Sequence, residues 1–108
     1  MPISRDGSAL RLKNGDNVAV CLRTVPSGTE LDFEGQRVVA RADIPTGHKI
    51  ALRPIAAGDL ILKYGQTIGR AVAAIAPGEH VHVHNVEGTR GRGDLGEDAA
   101  AAVRGAVR

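Results

Sequence analysis

The chain has 108 residues, a formal net charge of +2, no Trp, and Phe33 and Tyr64 as its aromatic residues. That length holds one domain at most. Interleaved acids and bases exclude the basic stripe of a dedicated nucleic-acid surface, and so few aromatics exclude a stacking platform for single strands. Fourteen glycines and five prolines require many tight turns. The expected class is therefore all-β, with a core of Val, Ile, Leu and Ala.

Residues 1–15 are polar and glycine-containing, and read as a flexible arm with a short strand at residues 9–12. Asn14-Gly15-Asp16 is a turn signal. The domain proper is expected over residues 16–86. Its first strand is predicted at residues 17–23, where Cys21 reads as a small buried hydrophobe. A single cysteine, no apolar signal segment at the start and no apolar run near the ~20 residues of a membrane span point to the cytoplasm and away from a membrane.

A five-residue pattern then recurs: an aliphatic residue, Pro or Ala, any residue, Gly, and a polar residue. It appears as Val25-Pro26-Ser27-Gly28-Thr29, Ile44-Pro45-Thr46-Gly47-His48, Ile55-Ala56-Ala57-Gly58-Asp59 and Ile75-Ala76-Pro77-Gly78-Glu79. Each reads as a turn in which Gly takes positive φ before the next strand. The glycines are 19, 11 and 20 apart (47−28, 58−47, 78−58), an uneven spacing that speaks against a solenoid. Short strands are predicted between the turns, at residues 29–33 and 36–40 around the two-residue loop Glu34-Gly35. Further strands are expected at 49–52, 60–62, 69–73 and 80–86. Residues 87–94 read as a glycine-rich linker. The Gly/Ala/Arg-rich tail to residue 108 reads as disordered or a marginal helix.

Three of the four histidines lie in Gly78-Glu79-His80-Val81-His82-Val83-His84-Asn85. On a strand, His80, His82 and His84 share one face, roughly 6.5–7 Å apart, with Val81 and Val83 on the other. Such imidazoles can converge on Fe, Zn, Ni or Cu. Contact with an anionic substrate or a partner, and a purely structural role, are the alternatives. In Gly47-His48-Lys49, His48 suits acid–base work near neutral pH and Lys49 suits a carboxylate. The alternative is a solvated turn. In Lys63-Tyr64-Gly65, Tyr64 reads either as a half-buried cap on the core or as a ligand contact, and Lys63 and Arg70 read as solvated or ligand-facing cations.

Four motifs stand in order: residues 44–52, 55–59, Lys63-Tyr64-Gly65-Gln66-Thr67-Ile68-Gly69, and Gly78 to Asn85. Together they resemble the SAF-type N-terminal domain of the altronate/galactarate dehydratase family, and equally the small subunit of sulfolactate sulfo-lyase, a member of that family. The resemblance runs from about Asp16 to Val86. It implies a compact β-clip (SAF-like) domain of short strands and hairpins. It also implies a lyase that eliminates water, or sulfite, from a hydroxylated carboxylic acid with a divalent metal, Fe2+ first, with Mn2+ or others as alternatives. Matched residue by residue, it singles out His48 and Lys49, Lys63, Tyr64 and Gly65, and His80, His82, His84 and Asn85, without dividing metal ligands from substrate contacts. The expected division is His48 and Lys49 as catalytic, Lys63, Tyr64, Gly65 and Asn85 as substrate-binding, and His80, His82 and His84 as metal ligands. The complete enzymes continue into a far larger catalytic region, whereas this sequence stops soon after Val86. The expectation is a small subunit that forms a sugar-acid dehydratase site with a separate large subunit. A sulfolactate sulfo-lyase small subunit, a non-catalytic module that binds a sugar acid or a protein, and a metal-carrying module are the alternatives.

Overall fold

Turn residues interrupt the chain so often that, among the described residues, no strand exceeds six residues. The computed structural model describes residues 3–88. These residues form nine strands: β1 (Ala9–Leu10), β2 (Val18–Cys21), β3 (Glu30–Phe33), β4 (Gln36–Val39), β5 (Lys49–Ala51), β6 (Leu60–Lys63), β7 (Gln66–Ala71), β8 (His80–Val81) and β9 (Val86–Glu87). All pair antiparallel, in sheets ordered β1-β2-β5-β8, β3-β4 and β6-β7-β9. Among the described residues there is no helix, and so none long and apolar enough to cross a membrane. The all-β expectation holds.

The four recurring turns meet in pairs. Val25 bridges Ile44, and Ile55 bridges Ile75. Their backbone bonds correspond one to one. Gly28 N–H donates to Ala40 O where Gly58 N–H donates to Ala71 O, and Gly47 N–H donates to Cys21 O where Gly78 N–H donates to Ala51 O. The chain is no solenoid, but its spacing is that of a duplication. The first turn of each half is offset by 30 residues (58−28) and the second by 31 (78−47). The additional residue is Ile68, left unpaired where the register jumps from Ile61↔Gly69 to Leu62↔Thr67, as a β-bulge does. Both hairpin tips, Glu34-Gly35 and Tyr64-Gly65, have positive φ at both positions, the condition for a type I′ turn.

The central sheet separates two cores. On β2, Ala19 and Cys21 join Leu31, Phe33 and Ile50 on one face. Val18 joins Ala51, Ile55, Ile61 and Val81 on the other. Alternation along β2 and β5 thus feeds both cores at once. The buried Cys21 thiol is pushed up to about 11 by desolvation, as an inert core cysteine should be.

Three boundaries differ from expectation. Residues 3–12 are built into the domain: β1 pairs with β2, Ala9 is fully buried, and Ser4 Oγ accepts the Ala9 N–H. A strand that covers a core with an apolar residue has no reason to detach. The strand expected at 80–86 stops at Val81, turns over residues 82–85 and resumes as β9, which pairs with β7. The strand expected at 69–73 begins earlier, at Gln66, because Gly65 closes the hairpin tip. The tail from residue 89 lies outside the described residues.

Candidate functional site

The site forms where the second turn of the first half meets the second turn of the other half. Gly47 has φ +84 and delivers His48 to the start of β5. The His48 carbonyl accepts from Cys21 N–H, and its N–H donates to Pro45 O. β5 pairs with β8 in the register Ile50↔His80 and Lys49↔Val81. His48, Ile50 and His80 therefore share a face, with Val81 turned into the core at 0% exposure. His48 Nδ1 lies 2.8 Å from His80 Nε2, so one ring N–H donates to the other's lone pair. The His82 ring stacks on His48, with centroids 3.7 Å apart.

The turn after Val81 is closed by Asn85. Its Oδ1 accepts from His82 N–H and its Nδ2 donates to His80 O. This turn breaks the alternation read from the sequence. His80 and His82 stay together, but Val83 is 81% exposed and His84 is exposed, tilted 5.1 Å from His80. The group whose donor nitrogens lie within 4.8 Å of one another is His48, His80 and His82. His84 is not in it. Two ligands on opposite sides of one ion, with bonds of about 2.1 Å, stand at most ~4.2 Å apart. Small side-chain rotations therefore bring this trio onto one ion.

The electrostatics are those of cations crowded together. Burial holds His80 below its ordinary 6.5, with His84, His48, His82 and Lys49 adding to the effect. Burial also lowers His82, assisted by His48, Lys49 and His84. Lys49 is lowered by burial and by the charge of Lys63. Among the described residues, no carboxylate joins the histidine group, and the ion pairs, Arg5 and Arg37 with Asp32, belong to the other hairpin. Neutral imidazoles keep their lone pairs, so the donor set fits a borderline divalent ion such as Fe2+ or Zn2+. Lys49 and Lys63 fit an anion beside it. A groove of about 220 Å³ reaches the trio at His82, with Lys49, Ile68 and Val83 also in its lining. A larger hollow of about 490 Å³ lies at the β3–β4 hairpin, lined by Arg5, Asp32, Glu34 and Arg37 without a histidine.

The expected substrate contacts are distributed differently. Lys63 and Tyr64 are half-buried at the β6–β7 tip, and the Lys63 ammonium sits 5.0 Å over the Tyr64 ring, a cation–π distance. The Tyr64 and Gly65 amides donate 2.8 Å bonds to the Asp16 carboxylate. The Asn85 amide closes the histidine turn, so its evident work is positional. The structure thus gathers His48, His80, His82 and Lys49, with Lys63 in electrostatic reach, and leaves His84 at the rim. In sequence Asp16 belongs to a turn and Asn17 opens a strand, with no site role given to either. An Asp-Asn pair at the mouth of an apolar strand was the available signal, since an acid is rarely buried without partners.

Comparison with known proteins bears on this site. A family profile described as the altronate/galactarate dehydratase SAF domain matches residues 7–89. The chain is 51% identical over 70 residues to an altronate dehydratase of Escherichia coli, covering 65% of this chain and 14% of the relative. It is 42% identical over 80 residues to an altronate dehydratase of Bacillus subtilis, covering 74% and 16%. It is 48% identical over 54 residues to a (2R)-sulfolactate sulfo-lyase subunit alpha of Paracoccus pantotrophus, covering 50% and 81%. The chain thus spans about a seventh of the length of the altronate dehydratases it matches.

Proposed function

The chain belongs to the altronate/galactarate dehydratase SAF-domain family, and from that premise we propose that it is the small subunit of a cytoplasmic sugar-acid hydro-lyase, one wall of an active site completed by a separate large subunit. The observation that carries this is the trio His48, His80 and His82 beside Lys49, a donor set to which the described residues add no carboxylate. A carboxylate from a second polypeptide would complete it. The subunit organisation takes support from the Paracoccus relative, which is itself a subunit and is matched over 81% of its length.

His48, His80 and His82 would hold the divalent metal, Fe2+ in first place. When bound, it would supply a Lewis acid for the α-hydroxy carboxylate. The chain's own residues do the rest. Lys63 receives a carboxylate oxygen of the anionic substrate, and the cation–π contact with Tyr64 holds its ammonium in place. With the His48 lone pair committed, Lys49 is the better base for the proton α to the carboxylate, because burial and Lys63 both favour its neutral form. The β-substituent then leaves as the electron pair of the broken C–H bond moves in.

Sulfite elimination from sulfolactate is the second reading, favoured by the high coverage of the Paracoccus subunit. It needs the same α-hydroxylated anion. The test is to purify the chain alone and with its large subunit, then to assay altronate, galactarate and sulfolactate. Turnover only in the complex supports the proposal, and the substrate consumed separates the two readings. Full turnover by the chain alone overturns the two-subunit organisation. Binding without turnover in the complex points to a non-catalytic module.

A further inference from the structure

The dipeptide Asp16-Asn17 is buried, at 1% and 6% exposure, and makes five hydrogen bonds to one hairpin some 45 residues away. Asn17 N–H donates to Leu62 O, its Nδ2 donates to Leu60 O, and its Oδ1 accepts from Leu62 N–H. Asp16 Oδ2 accepts from Tyr64 N–H and Oδ1 from Gly65 N–H, each at 2.8 Å. The duplicated fold supplies an internal comparison. The sister tip Glu34-Gly35 has the same pair of positive φ angles, but its cap is local: Gly35 N–H donates to Asp32 Oδ1 within the hairpin. With the offset of 30, the counterpart of Asp32 is Leu62. The second hairpin therefore takes its carboxylate from outside. A turn that needed only a cap would be served by Asp at position 62.

The external anchor has a geometric result that a local cap lacks. Asp16 and Asn17 lead directly into β2, whose register fixes Val18 against Ala51 and Val20 against Lys49. The tip that carries Lys63 and the strand that carries Lys49 are thereby tied to one short segment. We propose that Asp16, with Asn17, is a positioning residue of the site, setting where the Lys63 ammonium that receives the substrate carboxylate stands relative to the Lys49 amine. This rests on the lyase-subunit reading above for the identity of the anion, and on the hydrogen bonds alone for the anchoring.

Asp16→Ala removes both acceptor oxygens. Asp16→Asn keeps the volume and one acceptor, and serves if the alanine variant does not fold. Asp32→Ala removes the sister cap as a control. Amide hydrogen exchange at Tyr64 and Gly65 is expected to quicken at least tenfold in Asp16→Ala and less in Asp16→Asn, with Ile50 exchanging as in the wild type. In the complex with the large subunit, KM for altronate is expected to rise about tenfold at nearly constant kcat, the mark of lost ground-state binding, and Asp32→Ala to change neither. Faster exchange at Tyr64 with an unchanged KM overturns the positioning role and leaves a structural one. A uniform rise in exchange that includes Ile50 overturns it as well. If the wild-type complex shows no turnover, the lyase reading falls separately. The inference is then decided by the dissociation constant of altronate for the chain, read from the Lys49 and Lys63 resonances. A tenfold weakening in Asp16→Ala supports it, and an unchanged constant or no binding overturns it.

Discussion

His48 stands more than thirty positions before His82, yet the two rings stack at 3.7 Å, so the donor set is made by contact and not by the repeat of histidines. Replacement of His48 by Ala should weaken Co2+ binding by more than the roughly 10–100-fold that loss of an outer-shell partner produces. His84→Ala should leave it within a few-fold, and calorimetric titration of the isolated chain would separate the two. Equal losses in both variants would return the metal to the run of histidines. The same rings set a pH dependence. Burial and neighbouring cations hold His80 and His82 below the ordinary 6.5 in the folded chain. As pH falls past 6.5, the unfolded chain takes up protons first. Stability present above that pH is therefore lost as the pH drops toward the folded-state values, and metal affinity falls with it. Thermal melts from pH 7.5 to 5.0 should show this decline, with a smaller one in a His80→Asn, His82→Asn double variant.

Among the elements, the repeated turns look interchangeable in sequence but are not so in space. Gly28 and Gly78 have nearly equal φ, +91 and +88. A Cβ at Gly28 would meet nothing within 4 Å, whereas at Gly78 it would lie 1.9 Å from the Val39 carbonyl oxygen. Gly28→Ala should lose about 1–2 kcal/mol for the left-handed backbone. Gly78→Ala should lose about 1–3 kcal/mol more, because a backbone oxygen cannot swing aside as a side chain does. Urea midpoints of the two variants measure the difference. Gly78 also precedes the histidine turn, so its variant should disturb the site while Gly28→Ala leaves it intact.

Across the whole molecule, two cores share one sheet. Phe33 belongs to one and Ile61 to the other, and β2 and β5 put residues into both. Phe33→Ala should lose about 3–5 kcal/mol and Ile61→Ala about 2–5 kcal/mol. Each should still unfold in a single transition, with circular dichroism and exchange of core amides coinciding. Two separated transitions would show that the halves fold as independent units despite the common strands.

The sequence by itself determined the class, the turns and the family resemblance, because these rest on local chemistry. Gly two places after Pro or Ala declares a positive φ, the apolar run Val18–Cys21 declares a strand, and Glu34-Gly35 declares a hairpin. The histidine run was legible as a cluster, and of the two valines given to the core Val81 is buried and Val83 is exposed. Only the tertiary structure decided which imidazoles meet. Asn85 folds the chain back after His82 and leaves His84 exposed and tilted beside His80, and the β5–β8 register brings His48 into the group of close donors. It also decided that the spacing of the turns is a duplication, since a single bulged residue at Ile68 disguises the period. What Asp16 binds was likewise decided by the tertiary structure. Its partners are backbone amides 48 and 49 positions along the chain, and backbone amides carry no signature in a list of side chains.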